Sequence, residues 1–557
     1  MATVQRGIGI GGGTVSGPVA RMARPPVPPA PRTVPADQLP AEVDAVRAAF
    51  TDVAEALQRR ADAASGPAAE VLFAQVMMVA DPALADRAEA LVRGGDDGPR
   101  AIDAAFGEFR SALAAAGGLF AERVADLDDL RDRAVAVLLG LPMPGLPEPG
   151  HPHVLVAADL APADTALLDP ASVIALVTEQ GGPTGHTAIL ARGLGIPAVV
   201  GCAGAEALTD GRLVLVDADA GTVEADPTPE AVTEAAERAA RRRRRAAELT
   251  GPGRTADGHP VKLLVNLGAP HELSAAAAAD SEGVGLFRTE FLFLERTEAP
   301  SVAEQTDAYA RVFAAFAGRR VVVRTLDAGA DKPLPFATAT DEQNPALGVR
   351  GLRTATRDPE LLEDQLHALA LAADGASAEV WVMAPMVSLP GEAATFADRV
   401  RAHGLATAGA MVEVPAAALR AGELAEACDF LSIGTNDLSQ YAFAADRTLA
   451  SLAGLLDPWQ PALLDLVQLT AAAGTRGGRP VGVCGEAAAD PAMALVLTGL
   501  GVTSLSAAPA ALPEVRAALA AHTLADCQAL AEAARTAPDA STARARVADA
   551  LPEARLP

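Results

Sequence analysis

Eight short apolar runs, separated by helical patterns or long loops, fill the second half of this 557-residue chain. They are VKLLVNL (261–267), GVGLFR (283–288), VVVRTLD (321–327), VWVMAPM (380–386), GAMVEV (409–414), DFLSIG (429–434), PVGVCG (480–485) and VTSLSA (502–507). Strands that read as near-continuous apolar runs are covered on both faces, as parallel strands are. Eight of them with intervening helices in roughly 300 residues predict a closed (β/α)8 barrel. Polar residues stand at the carboxyl ends of the runs: Asn266, Arg288, Arg324 with Asp327, Glu413, Asn436 with Asp437, Cys484 with Glu486, and Ser506. A barrel of this type carries its active site on that face, so these separated positions are expected to meet at one mouth.

The first half reads differently. Residues 1–22 hold short apolar runs broken by glycines, and RPPVPPAPRTVP (24–35) reads as a connector of polyproline character. From about 38 to 140 apolar residues recur at three and four positions, the pattern of an amphipathic helical bundle, and LPMPGLPEPGHP (141–152) ends it. Residues 153–225 alternate short strand-like runs with helical pieces, which predicts a small α/β domain completed by the N-terminal strands. A polar helix at 228–250 contains five consecutive arginines (241–245), and we read it as the solvated face of a linker. Gly7, Gly9 and Gly12 satisfy GxGxxG, but a dinucleotide site needs a strand before that motif and a helix after it. Here the glycines lead into a proline-rich stretch, so nucleotide binding is set aside.

The bulk numbers exclude several classes. A net charge of −26 leaves no basic footprint for nucleic acid. No run reaches the ~20 apolar residues of a membrane span. The start, MATVQRGIGIGGG, lacks a charged segment followed by a long apolar one. Four cysteines (202, 428, 484 and 527) are widely spaced with no CxxC pair, which predicts no disulfide framework and a reducing, cytoplasmic setting.

One string in the first half carries chemistry: GGPTGHTAILARGLGIPAVVG (181–201). Glycines let a backbone approach a ligand closely, and free N–H groups at a helix start attract an oxyanion. A histidine at that place, His186, has a ring nitrogen for a nucleophile and nearby donors for phosphoryl oxygens. The string resembles the phosphohistidine motif of phosphoenolpyruvate-utilising enzymes, and specifically the Enzyme I family of the bacterial sugar phosphotransferase system. GVGLFRTEFLF (283–293), RTLDAGADKPLPF (324–336), NPALGVRGLR (344–353), MVEVPAAAL, DFLSIGTNDLSQYAFAADR and GVCGEAAAD resemble the family's other segments, in the family's order.

The resemblance implies a multidomain α/β protein. Residues 1–22 and 145–227 would form a swivelling phosphohistidine domain, with an inserted helical bundle (36–144) that docks the phosphocarrier protein HPr. A linker helix (228–256) would lead to a phosphoenolpyruvate-binding and dimerising TIM-type barrel (257–557). His186 would take the phosphoryl group, with Thr165 orienting it, and Cys484 would protonate the enolate as pyruvate forms. Phosphoenolpyruvate is a polyanion, and Arg288, Arg324, Lys332, Arg350 and Arg447 are expected to supply cations, with Asn436 and Asp437 also at the phosphate. Glu413 and Asp437 are hard oxygen ligands suited to Mg2+. A homodimer through the barrel is a further implication.

The chain departs from the family's common Gly-Gly-Arg-Thr-Ser-His form: Pro183 replaces the arginine and Gly185 the serine. That removes a charge and a hydroxyl beside the nucleophile, with consequences expected for rate rather than reaction class. Two other readings compete. A pyruvate phosphate dikinase or phosphoenolpyruvate synthase would need a large ATP-binding region ahead of the histidine domain. A non-catalytic regulatory scaffold would not need the full set of His, Cys, Arg and metal-ligand residues.

Overall fold

The computed structural model describes the chain apart from residues 1, 2, 12, 24, 25, 27–29, 31, 33, 64–66, 117–123, 161–167, 183–186, 189, 190, 192, 193, 219, 295, 329–333, 339–341, 343, 448 and 552–557. Two closed barrels organise it. The first contains β1 (Thr3–Ile10), β2 (Thr14–Arg21), β3 (His153–Ala157), β4 (Val173–Thr178), β5 (Ala198–Ala203), β6 (Leu213–Asp217) and β7 (Thr222–Ala225), closed in the order β1-β5-β4-β3-β2-β6-β7. Ladders β2–β3, β3–β4 and β4–β5 are parallel and the remaining four antiparallel. Side-chain alternation sorts this wall into two layers: Val154, Val156, Ala175 and Val177 join one apolar cluster, Leu155, Ala157 and Leu176 another.

The glycines of the GxGxxG string have a packing role here. Gly7 and Gly9 lie within β1, and a Cβ on Gly9 would stand 1.7 Å from the Ala218 carbonyl oxygen. Gly12 lies outside the described residues. β1 leads to another strand, not a helix, so the dinucleotide geometry is absent there.

Between β2 and β3 run α1 (Leu39–Ala63), α2 (Pro67–Val79), α3 (Pro82–Arg93), α4 (Gly98–Ala116) and α5 (Val124–Leu138). Their buried faces pack Val46, Phe50, Val53, Leu57, Leu84, Ile102, Phe106 and Leu130 together, with Phe50 stacked on Phe106 at 5.8 Å between ring centroids. The bundle is thus an insertion within the strands of the first barrel. α6 (Pro229–Glu248) follows β7, is capped by Thr228, and touches both β2 and the helix Leu512–Ala521 of the second barrel. Arg241 and Arg244, from its arginine run, are exposed.

The second barrel is β8 (Lys262–Leu267), β9 (Gly283–Arg288), β10 (Arg320–Arg324), β11 (Glu379–Ala384), β12 (Thr407–Val412), β13 (Phe430–Ile433), β14 (Val481–Val483) and β15 (Ser504–Ala507). Each pairs in parallel with the next and β15 closes onto β8, with helices after every strand. This is the eight-stranded α/β barrel that the apolar runs predicted. Local signals set the helix starts: Ser301 and Glu304 form a capping box, and Asp358 and Asp490 cap helices whose first residue is proline. Val321 and Val323 face the outer helices, while Val322 faces a lumen shared with Leu286, Trp381, Met383, Met411, Phe430 and Cys484. Among the described residues no helix is long and apolar enough to cross a membrane.

Candidate active site

The strand ends of the second barrel bring the predicted cations and carboxylates into contact. Arg324 ends β10, and its guanidinium pairs with Glu290 at 3.0 Å and Asp327 at 3.2 Å. Arg350, 4% exposed, grips Asp327 with two nitrogens: Nε to Oδ1 at 3.2 Å and Nη2 to Oδ2 at 2.9 Å. Its Nη1 donates to Asp437 Oδ1 at 3.0 Å and to the Tyr441 hydroxyl at 3.1 Å. Arg447 Nη1 reaches Asp437 Oδ2 at 3.7 Å. Arg288, at the end of β9, is exposed and carries no ion pair among the described residues. Asn436 opens the helix Thr435–Ala442 after β13, where its Oδ1 accepts from the Glu486 N–H at 3.4 Å.

Glu413 follows β12 and is 1% exposed; its Oε1 accepts the Met386 N–H at 2.6 Å. Met386 takes a left-handed backbone conformation, φ 58°, costly for a side chain of its size. Burial, then the charges of Asp437 and Asp327, push the Glu413 carboxyl up to about 8. Burial also raises Asp327, but the guanidiniums of Arg324 and Arg350 outweigh it and hold that carboxyl below its ordinary value. A buried carboxylate with raised proton affinity beside a second carboxylate suits a divalent cation, which would replace the proton. Asp437 lies close enough for its charge to raise Glu413, and among the described residues no group of three or more His, Cys, Asp or Glu is arranged to hold a metal.

Cys484 lies just beyond β14, 3% exposed, with its thiol raised by burial, as a neutral acid requires. Asn266 braces this strand end: its Nδ2 donates to the Cys484 and Ser506 carbonyls, both at 3.3 Å, and Ser506 Oγ donates back to its Oδ1 at 2.6 Å.

Three predicted site residues, His186, Thr165 and Lys332, lie outside the described residues, as do Pro183 and Gly185. The frame around His186 is described. Gly181 adopts φ 92°, a turn conformation suited to glycine, and Thr187, 4% exposed, donates to Asp159 Oδ1 at 3.3 Å. Glu290 and Tyr441 were not singled out by the sequence, although both fall inside its long motifs. Asp327 was noted as a strand-end residue without a role, yet it holds both arginines. For Glu290 and Asp327 the signal was a carboxylate two or three residues after a strand-end arginine; Tyr441 had none, because pairing is a property of space and not of spacing.

Comparison with known proteins places these features. The family model described as "PEP-utilising enzyme, N-terminal" matches residues 6–123, "PEP-utilising enzyme, mobile domain" 149–221, and "PEP-utilising enzyme, PEP-binding domain" 242–524. A phosphoenolpyruvate-protein phosphotransferase of Streptomyces coelicolor is 53% identical, covering 98% of each chain. One from Haloferax volcanii is 40% identical over 88% of each chain. One from Bacillus subtilis is 38% identical over 69% of this chain and 70% of its own. End-to-end identity of this order, with all three family segments in sequence, makes this chain a member of the phosphoenolpyruvate-utilising enzyme family, in its Enzyme I branch of phosphoenolpyruvate-protein phosphotransferases.

Proposed function

We propose that this phosphotransferase takes the phosphoryl group of phosphoenolpyruvate onto His186 and passes it to HPr. The observation that carries the reading is the clamp at the second barrel's mouth, where Arg324 and Arg350 share Asp327 beside Glu413 and Asp437, with Cys484 at the next strand end. Paired carboxylates hold the guanidiniums in fixed orientations, so little reorganisation is required when a polyanion arrives. Arg288, Lys332 and Arg447 would add positive charge around it. Asn436 supplies an amide donor. Glu413 and Asp437 would hold Mg2+, which supplies Lewis-acid stabilisation of phosphoryl oxygens when bound. His186, oriented by Thr165, attacks phosphorus in line; the bond to the enolate oxygen breaks, and the Cys484 thiol gives its proton to the enolate carbon to yield pyruvate.

The domain limits proposed are 1–22 with 145–227 for the phosphohistidine unit, 36–144 for the docking bundle, 228–256 for the linker and 257–557 for the barrel. HPr would meet the bundle, where Phe73 and Met77 on α2 are 46% and 74% exposed. The histidine domain must visit the barrel and then leave, and rigid-body swivelling about the linkers is the simplest means. A cytoplasmic homodimer joined through the barrels completes the reading. The dikinase and scaffold alternatives are not favoured, because relatives named phosphoenolpyruvate-protein phosphotransferase match almost the whole chain. Incubation with radiolabelled phosphoenolpyruvate and Mg2+, with and without HPr, tests the proposal. Acid-labile, base-stable label that HPr removes is expected; a protein that never takes label would refute it.

A further inference from the structure

The proton that turns the enolate into pyruvate has to be replaced after every turnover, and the thiol assigned to deliver it is buried. Cys484 borders the apolar lumen of Leu286, Val322, Trp381, Met383, Met411 and Phe430, a poor place to leave a thiolate. Among the described residues one side-chain donor reaches the sulfur: Ser432 Oγ donates to Cys484 Sγ at 3.3 Å. The thiol's own acceptor is the Ile433 carbonyl, at 3.7 Å. Ser432 is 5% exposed on β13, opposite Gly482 of β14, and among the described residues its hydroxyl makes no other hydrogen bond.

Both residues also line a cavity of about 20 Å3, together with Ser504, Ser506, Gly482 and Arg320. That is room for about one water, and the wall has the polar partners a water needs. Two strand glycines keep the space open: a Cβ on Gly482 would lie 2.6 Å from Ser504 Oγ, and one on Gly285 2.5 Å from Ser506 Oγ. The Ser432 hydroxyl therefore touches the thiol and shares with it a small cavity that combines these polar groups with the apolar walls of Val322, Trp381 and Phe430.

We propose that Ser432 is the proton relay of Cys484, passing a proton from water in this cavity to the sulfur after each protonation of the enolate. The inference rests on the reading of Cys484 as the acid. The S–H bond breaks as the new C–H bond forms, leaving a thiolate. The Ser432 O–H bond then breaks as S–H is restored, and the serine oxygen takes a proton from the cavity water. Solvent replaces that proton, so the cycle consumes the single proton that pyruvate formation requires.

The test is exchange of pyruvate methyl protons with solvent deuterium, followed by NMR across a range of pH on the full-length chain with Mg2+. Ser432→Ala should slow exchange by about ten- to a hundredfold, with affinity for phosphoenolpyruvate within about twofold of wild type. Losing the donor disfavours the thiolate that must take a proton from pyruvate, so the acid limb of the profile should move to higher pH. The other charged groups facing the thiol, Arg324, Arg288 and Glu413, and Arg320 on the cavity wall, are unchanged in this variant. Ser432→Thr, which keeps the hydroxyl, should recover most of the rate. Wild-type exchange in Ser432→Ala would overturn the relay. So would a slower rate with an unmoved profile, since that is the signature of a packing role. Cys484→Ala separates the two levels: if it still exchanges, the assignment of the acid falls and the relay with it. If it is silent while Ser432→Ala is normal, the relay alone falls.

Discussion

The two barrels hold charge in different measure: near the glycine turn of the first the described ion pair is Arg21–Glu179 at 3.1 Å, while the second gathers several at one mouth. In the first, the described frame of the glycine turn is a positive-φ glycine, a threonine hydroxyl and the exposed carboxylate of Asp159. In the second, Arg350, Asp327 and Asp437 are buried in one network of ion pairs, and buried Glu413 feels the charges of both carboxylates. The contrast follows from the two tasks. A site that captures a polyanion gains from cations fixed in advance in a water-poor setting, where electrostatics are strong. A carrier that must surrender the group is better served by few permanent cations. Separation into two domains lets one chain satisfy both demands.

The sharpest way to break this division is to remove each half's chemistry in turn. His186→Ala should abolish labelling by phosphoenolpyruvate altogether, and label persisting in that variant would end the assignment of the carrier. A fragment of residues 1–250 should exchange phosphoryl groups with phosphorylated HPr yet fail with phosphoenolpyruvate, because it lacks the barrel's cations. Direct labelling of the fragment would erase the distinction between the halves. In the barrel, Arg350→Lys keeps the charge but loses the planar fork that holds Asp327 by two nitrogens while also reaching Asp437 and Tyr441. We expect kcat/KM for phosphoenolpyruvate to fall on the order of 10²–10³-fold, with HPr exchange unchanged. Steady-state kinetics beside an HPr exchange assay would show whether both halves respond instead.

The second barrel was legible because a parallel strand covered on both faces is a continuous apolar run, and all eight runs became strands. Their ends were less so. VVVRTLD runs to 327 but β10 stops at Arg324, and VWVMAPM runs to 386 but β11 stops at Ala384. At both places the chain leaves the ladder to aim functional groups: Asp327 at the arginines, and the Met386 N–H at Glu413. That the N-terminal strands complete the 153–225 unit was expected from the sequence, but its closure into a seven-stranded barrel was not, since no local pattern marks which edges meet. The site residues could be read singly, as polar groups at strand ends. Their partners, Glu290 on a single 3-10 turn and Tyr441 near the end of the helix Thr435–Ala442, are marked by no periodicity as site residues.

Glu413 offers a test of the metal at moderate scale. Its folded-state value of about 8 lies above the ordinary 4.5, so between those limits the folded protein binds more protons than the unfolded chain. Stability contributed by the protonated form is therefore present at low pH and is lost as pH rises toward 8. Asp327, held low, acts in the opposite sense, but its window is on the acid side. The chelated protein should accordingly melt several degrees lower at about pH 9 than at about pH 6. Mg2+ should recover more stability at the higher pH, where it no longer competes with a proton. Glu413→Gln should flatten both dependences. Calorimetry showing the same pH slope in wild type and variant would remove Glu413 from the metal site.

The smallest effect belongs to the first barrel, and it is the one that weighs the comparison most finely. Thr187, the residue after His186 in sequence, is buried, and its hydroxyl donates to Asp159 Oδ1 at 3.3 Å. Asp159 is exposed and also accepts from the Leu160 N–H at 2.8 Å, so losing the threonine leaves no charge stranded in a dry interior. Thr187→Val keeps the shape and removes the hydroxyl. The expected cost is therefore that of one hydrogen bond, about 1 kcal/mol, far below that of unpairing a buried carboxylate in the second barrel. Function should respond on the same modest scale, with HPr exchange slowed a few-fold because the residue after His186 loses its tie to Asp159. Melting and exchange of the 1–250 fragment measure both quantities in one preparation. A loss of several kcal/mol, or of exchange altogether, would mean that the carrier site depends on a preorganised polar network as the barrel does, and the opposition between the two halves would no longer hold.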